Sequence, residues 1–197
     1  MIEKAMNYAR NLFAGDSSGH DMDHTLRVFR MASRIAREEK ADLHIVQLAA
    51  LLHDVDDRKL SPKTYENKDN AVTFLRENGA DEDDIRKIVE IIGQISFSAG
   101  NGAPTTLEGK CVQDADRLDA IGAIGISRAF AFGGSRGRRI HDPEGGDKAS
   151  SIAHFYDKLL LLKDLMNTST GKKLALRRHA FMEDFLEQFY GEWDGER

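Results

Sequence analysis

Apolar residues recur every three or four positions along most of this chain, a spacing that places them on one face of an α-helix. The first such stretch contains Ile2, Ala5, Met6, Ala9, Leu12 and Phe13. The same spacing predicts helices at about residues 23–39, 42–54, 62–78, from 81 to at least 92, 111–126, 151–166 and 170–190. The chain contains only three prolines, and β-branched residues are sparse in most segments, which favours helix over sheet. The pattern predicts an all-α protein.

Nothing in the sequence divides the chain into separate domains. No segment of roughly 20–50 residues repeats, and no linker is long enough to join two independent units. A length of 197 residues fits one globular domain. We therefore expect one all-α domain over residues 1–197.

Charge and composition narrow the location and the class of partner. The net charge of −5 offers no broad positive surface, so no nucleic-acid partner is expected. The single cysteine, Cys111, excludes an internal disulfide and suits a reducing cytoplasm. Charged residues interrupt the apolar pattern of the N-terminus, and no apolar run approaches the ~18 residues of a membrane span. We expect a cytoplasmic protein without a membrane partner.

The third predicted helix ends in a cluster of polar groups, LAALLHDVDD at residues 48–57. His53 and Asp54 continue the apolar stripe of this helix. Burying an unpaired carboxylate is costly, and the negative end of the helix dipole adds a penalty of roughly 0.3–1 kcal/mol for each acid. A cation bound by His53 and Asp54 would remove both costs.

Two other segments supply further candidate ligands. His24 stands in the first turn of the second predicted helix, within GHDMDHTLRV, and Asp116 lies in QDADRLDA. Together with His53 and Asp54 they would form a site of mixed nitrogen and oxygen donors. That donor set suits Mn²⁺, Fe²⁺, Co²⁺, Ni²⁺ or Zn²⁺, and Mg²⁺ less naturally.

The three motifs, in the contexts HDMDHTLRV, LLHDVDD and DADRLDA, resemble those of the HD superfamily of metal-dependent phosphohydrolases. The motifs cover about residues 20–125, and residues 154–190 look like the C-terminal helices of its small single-domain bacterial members. The resemblance implies a single-domain HD-type helical bundle over residues 1–197. Its C-terminal segment, about residues 150–191, would pack on the motif core.

The resemblance also implies one divalent metal ion, and leaves its identity open among manganese, cobalt, nickel, iron, zinc and magnesium. The implied ligands are His24, His53, Asp54 and Asp116, with Asp119 or Asp114 replacing Asp116 if the register differs. Asp57 matches a carboxylate that orients or deprotonates the attacking water. His20 or Asp21 could orient the ligand imidazoles from behind.

The phosphate groups of a substrate require cations. The candidates are Arg27, one turn after His24, Lys59, just past the acid cluster, and Lys158, within an otherwise apolar stretch. A glycine-rich loop predicted at residues 133–146 contains the string GGSRGRR. It is interpreted either as a phosphate-binding loop with backbone N–H groups facing an anion, or as a solvated basic loop. A lid over the substrate would satisfy both interpretations.

The resemblance favours hydrolysis of a small phosphorylated metabolite, above all a nucleotide. Release of pyrophosphate from a nucleoside triphosphate is the first expectation, and cleavage of a monophosphate is the second. A non-catalytic nucleotide or metal sensor on the same fold is the alternative from another class. An iron-dependent oxygenase would usually need more histidines near the motifs than this chain, with seven in all, provides. A monomer and a homodimer both agree with the sequence.

Overall fold

The computed structural model of the protein describes residues 1–14, 21–57, 61–95, 102–144 and 150–197. Helices make up all the regular secondary structure in these ranges, which confirms the all-α prediction. The α-helices are α1 (Ile2–Leu12), α2 (Met22–Glu39), α3 (Leu43–Leu52), α4 (Asp69–Glu77), α5 (Glu82–Ile95), α6 (Leu107–Asp119), α7 (Gly122–Ser135), α8 (Ser151–Asp157) and α9 (Ser169–Trp193), and a 3-10 helix spans Leu159–Leu165.

The chain divides into two compact units, Met1–Asp116 and Arg117–Arg197. Each unit contains several of the predicted helices. The expectation of a single domain over residues 1–197, with the C-terminal helices packed on the motif core, stays a prediction.

Helix α3 is the central element of the first unit. The Asp42 side chain accepts hydrogen bonds from the N–H groups of His44 and Ile45, which begins the helix. The residues from Ile45 to Leu52 are buried except Gln47, and α1, α2 and α5 all pack against this helix. A helix that is apolar nearly all round is stabilised by burial on every side. The chain that follows Leu52 is therefore held rigidly at its start.

Two predicted helix starts were wrong. Asp21, whose side chain accepts the N–H of His24 at 2.8 Å, is the N-cap of α2, two residues before Asp23, the cap that the sequence pattern predicts. Residues 61–68 form turns instead of the first part of α4, which begins only at Asp69. The backbone of Lys68 adopts a left-handed conformation with φ 56°, which the helical geometry excludes.

Two predicted helices are divided in the structure. The stretch predicted as one helix at 111–126 is divided between α6, which ends at Asp119, and α7, which begins at Gly122. The stretch predicted as one helix at 151–166 breaks at Lys158, whose φ of −142° is not helical, and continues as the 3-10 helix. Helices α7 and α8 approach closely at Gly133, where an added Cβ would lie 2.2 Å from the Oγ of Ser151. A larger residue at position 133 would require the Ser151 hydroxyl to rotate away.

The GGSRGRR string ends a helix and was wrongly predicted as a loop throughout. Helix α7 continues to Ser135, and the N–H of Arg138 donates to the carbonyl of Gly133 at 2.9 Å. The N–H of Gly137 donates to Gly134 at 3.1 Å, and Gly137 has φ +66°, which together form a Schellman C-cap. These N–H groups satisfy the helix end, so they are not available to an anion.

Candidate metal centre

Helix α2 places His24 in its first turn. Its side chain is 3% exposed, and its backbone N–H is held by the N-cap Asp21. Capping fixes the direction in which the first turn leaves the preceding segment. The imidazole of His24 therefore lies at a fixed position inside the first unit.

The last turn of α3 orients His53. The Nδ1 atom of His53 lies 2.8 Å from the carbonyl oxygen of Ala50, which can only accept, so Nδ1 donates the hydrogen bond. In the neutral ring the lone pair is then on Nε2, the atom that faces His24. A backbone carbonyl of this kind is the partner that usually fixes the tautomer of a metal-binding histidine.

Three donor atoms converge at this point of the first unit, and a fourth lies beside one of them. The Nε2 atoms of His24 and His53 are 3.3 Å apart, and Oδ2 of Asp54 lies 3.5 Å and 3.2 Å from them, respectively. Oδ1 of Asp116, from α6, lies 3.4 Å from Nε2 of His24. Ligand atoms about 2.1 Å from one metal ion are separated by about 3.0–3.4 Å. The separations of these donor atoms therefore fit a bound divalent ion.

The tightest part of this cluster is formed by His24, His53 and Asp54, whose ligand atoms all lie within 4.8 Å of one another. Two imidazoles and a carboxylate are donors that Mn²⁺, Fe²⁺, Co²⁺ and Zn²⁺ accept. The Asp54 side chain is 13% exposed and that of Asp116 is 29% exposed, so solvent reaches the oxygen side of the site. A substrate could approach from that side.

The acidic neighbours of His53 raise the pKa of its imidazole. Burial by itself would lower the pKa of His53, but the charge and hydrogen bond of Asp54, followed by the charge of Asp116, raise it to about 9. In the metal-free protein a proton therefore occupies the position between the imidazole and Asp54. A metal ion must displace this proton in order to bind.

Because metal binding displaces this proton, the stability of the metal-free protein and the affinity for metal should change with pH in opposite directions. The raised pKa of His53 stabilises the folded metal-free state fully below about pH 6.5, and that contribution is lost as the pH rises to about 9. We expect the melting temperature of the metal-free protein to fall across this range relative to a His53→Gln variant. Metal affinity should rise across the same range, by up to about tenfold per pH unit. Identical pH slopes in the two proteins would contradict the proton assignment.

The two alternatives to Asp116 lie in other environments. Asp119 is 4% exposed, and its Oδ2 pairs with Nη1 of Arg128 at 2.6 Å in the second unit. Asp114 is fully buried. A carboxylate engaged by a guanidinium at this distance has its charge already compensated. The geometry thus places Asp116 beside His24 and gives Asp119 a different partner.

The remaining predicted site residues lie on several elements of the chain. Asp57 is half-buried, three residues after Asp54, and Arg27 is half-buried on α2. Lys158 is half-buried in the second unit. The pKa of the nearby His154 is lowered mainly by the burial of its ring, and then by the charges of Lys158 and Arg138. His20 and Lys59 lie outside the described residues.

Sequence reasoning missed the role of Asp56. This residue is 1% exposed, and its carboxylate accepts the backbone N–H groups of Asn70 and Ala71 at 3.1 and 3.0 Å. The LHDVDD string shows several acids after a helix, but the direction in which each points depends on the turn. Asp56 therefore holds the N-terminus of α4 and is not part of the converging donor cluster.

Lys68 is a second residue that the sequence did not single out. Its Nζ lies 3.8 Å from the centroid of the Tyr65 ring and donates to the Tyr65 carbonyl at 2.6 Å. Burial lowers the pKa of Lys68, and the charges of Asp56 and Asp57 oppose this shift. A cation is thus present close to the acids that follow α3.

Among the described residues, none of the helices is both long enough and apolar enough to cross a membrane.

Comparison with known proteins identifies the family. The HD domain profile matches residues 22–121. The chain is 43% identical over 189 residues to the uncharacterized protein YpgQ of Bacillus subtilis (strain 168), covering 94% of this chain and 90% of YpgQ. The crystal structure of an HD-superfamily hydrolase from Bacillus thuringiensis matches with a TM-score of 0.85 and 42% identity, covering 98% of this chain and 96% of the other. A crystal structure of YpgQ in complex with ADP matches with a TM-score of 0.84 and 40% identity, covering 98% and 97%. The chain belongs to the HD superfamily of metal-dependent phosphohydrolases.

Proposed function

We propose that this hydrolase acts on a nucleotide and releases pyrophosphate from a nucleoside triphosphate, with cleavage of a monophosphate as the second candidate reaction. The observation that carries the proposal is the convergence of His24, His53 and Asp54, with Asp116 beside His24, in a partly open site. The structure of a relative, YpgQ, with bound ADP supports a nucleotide as the ligand class.

The metal would be held by His24, His53 and Asp54, with Asp116 as a fourth donor. When bound, a divalent ion supplies positive charge that polarises a phosphoryl oxygen and lowers the pKa of water toward about 7. The choice among manganese, cobalt, nickel, iron, zinc and magnesium belongs to this proposal, and manganese suits the mixed donors well.

The protein's own residues would perform the remaining tasks. Asp57 would orient the attacking water and accept its proton, a role that requires an ionised carboxylate within hydrogen-bond reach. Arg27 would bind a phosphate oxygen from the same helix that carries His24. Lys59 and Lys158 would bind further phosphate oxygens, and His20 would orient a ligand imidazole.

A matrix of metals and nucleotides tests this proposal. The full-length protein is incubated with Mn²⁺, Co²⁺, Ni²⁺, Fe²⁺, Zn²⁺ or Mg²⁺ and with nucleoside tri-, di- and monophosphates, and the products are identified by mass. We expect a nucleoside monophosphate and pyrophosphate from triphosphates. Release of neither phosphate nor pyrophosphate with any metal would contradict the proposal. Tight nucleotide binding without turnover would instead indicate a sensor.

A further inference from the structure

The turn that follows α3 is anchored to α4 by a buried carboxylate. Both oxygens of Asp56 are used, because Oδ1 accepts the N–H of Asn70 and Oδ2 accepts the N–H of Ala71. These N–H groups belong to the first turn of α4, where they have no partner within the helix. A carboxylate at this position is stabilised by the hydrogen bonds and by the positive end of the helix dipole.

The side chain of Asn70, in the first turn of α4, also anchors the turn after α3, by donating a hydrogen bond to its backbone. Its Nδ2 lies 2.9 Å from the Val55 carbonyl, and also 3.3 and 3.1 Å from the hydroxyl oxygens of Ser61 and Thr64. The carbonyl of Asp57 in turn accepts the N–H of Ser61 at 2.7 Å. Asn70 thus connects the turn after α3 with residues 61–64.

These bonds hold three consecutive residues immediately after Asp54. Val55 is held through its carbonyl, Asp56 through its carboxylate, and Asp57 through its carbonyl. The N–H of Asp57 donates to the carbonyl of Asp54 at 3.0 Å, which links the anchored turn to the donor cluster itself. A shift of α4 relative to α3 would move this turn as a unit.

We propose that Asp56 and Asn70 form a clamp that positions Asp54 and Asp57 for metal binding and hydrolysis. The clamp consists of the two hydrogen bonds to Asp56 and the bond from Asn70 to the Val55 carbonyl. Neither residue touches the donor cluster in the contacts described, so both are positioning residues. The proposal rests on the proposed function, because Asp54 and Asp57 have their roles only there.

The physical basis is the steep dependence of catalysis on geometry. The end of α3 fixes His53, but Asp54 and the residues after it have left the helix and need a separate support. Displacement of a catalytic group by about 1 Å can cost about 100-fold in rate. Partners behind metal ligands typically contribute about 10- to 100-fold in metal affinity or activity.

The test uses the Asn70→Ala variant of the full-length protein. Alanine is the most favourable helix residue, so α4 should still form. We expect Mn²⁺ affinity, measured from the free-ion electron paramagnetic resonance signal, to fall about tenfold. In nucleotide hydrolysis kcat should fall by about 10- to 100-fold while KM changes by less than about twofold, because the clamp acts on the catalytic groups and not on substrate contacts.

The matched control is Asn78→Ala at the opposite end of the same helix. Asn78 also donates from its side chain to a backbone carbonyl, that of Phe74, at 2.8 Å. This variant loses a comparable hydrogen bond but leaves the turn after α3 untouched. We expect it to retain the Mn²⁺ affinity and kcat of the wild type. A loss of Mn²⁺ affinity and kcat in Asn78→Ala equal to that in Asn70→Ala would show that general destabilisation explains both, and would overturn the proposal.

Asp56→Asn provides a second variant in which size is preserved and charge is removed. One amide oxygen can replace only one of the two carboxylate acceptors. We expect losses in the same direction as for Asn70→Ala. Wild-type Mn²⁺ affinity and kcat in both variants, with only a lower melting temperature, would overturn the clamp. A wild-type protein that binds Mn²⁺ and hydrolyses no nucleotide would contradict the proposed substrate alone, because the Mn²⁺ titration uses no nucleotide.

Discussion

Replacing His53 by alanine is expected to lower kcat/KM for nucleotide hydrolysis by about 10³-fold or more. His53 supplies one of the three donor atoms that lie within 4.8 Å of one another, and its ring is buried against α3. A bound metal contributes several kcal/mol of transition-state stabilisation, and about 1.4 kcal/mol corresponds to a tenfold change in rate. The measurement is steady-state kinetics together with Mn²⁺ titration, and both should show the loss.

His44→Ala is the control for this experiment. His44 lies on the same helix but is exposed, and its backbone N–H donates a hydrogen bond to the Asp42 carboxylate. We expect its activity and metal affinity to match those of the wild type. Asp54→Asn, which keeps the shape of the side chain and removes its charge, should repeat the effect of His53→Ala. Unchanged activity in either site variant would contradict the metal centre.

The second large effect expected is on stability, from Leu52→Ala. Leu52 is fully buried at the end of α3 and immediately precedes His53. Truncation removes apolar contacts and leaves a cavity in a helix that is packed on several sides, so we expect the free energy of unfolding to fall by about 2–5 kcal/mol. Chemical denaturation followed by circular dichroism measures this change.

Leu12→Ala is the matched control in the same unit. Leu12 ends α1 and is 40% exposed, so little packing is lost when it is shortened. We expect a change within about 0.5 kcal/mol. A small effect of Leu52→Ala, similar to that of Leu12→Ala, would contradict the assignment of α3 as the centre of this unit.

Periodicity predicted most of the fold because helix formation is governed by local spacing. The positions of α1, α3 and α5 follow directly from apolar residues at intervals of three and four. One error occurred where a local pattern competes with a contact that is distant in sequence. The turns at 61–68 replace predicted helix, and α4 begins where Asp56 reaches its first N–H groups.

Prediction of the candidate site was equally uneven. His24, His53, Asp54 and Asp116 are expected from the motifs; the structure brings the first three together and places Asp116 beside His24. The sequence did not predict which of the acids after α3 faces the donor cluster and which has a structural role. Asp54 and Asp56 are separated by two positions, yet one points to the donor cluster and the other caps α4. After the helix ends, no fixed period relates residue number to side-chain direction.

The basic string at 133–139 shows the same limit in the second unit. Its glycines and arginines agree equally with an anion-binding loop and with a helix terminus. The hydrogen bonds from Gly137 and Arg138 back to α7 select the terminus. These bonds use the backbone N–H groups of the string, while a role for its arginine side chains stays a prediction.

By itself, the sequence determined that the chain is helical, that α3 is buried, and that it ends in a histidine and acids able to bind a metal. These properties depend on residue type and on spacing within one helix. Only the tertiary structure decided which donors meet, because His24, His53 and Asp116 lie on different elements. It also decided that Asp56 is a structural anchor, since a carboxylate takes its role from the groups that packing brings within about 3 Å of it.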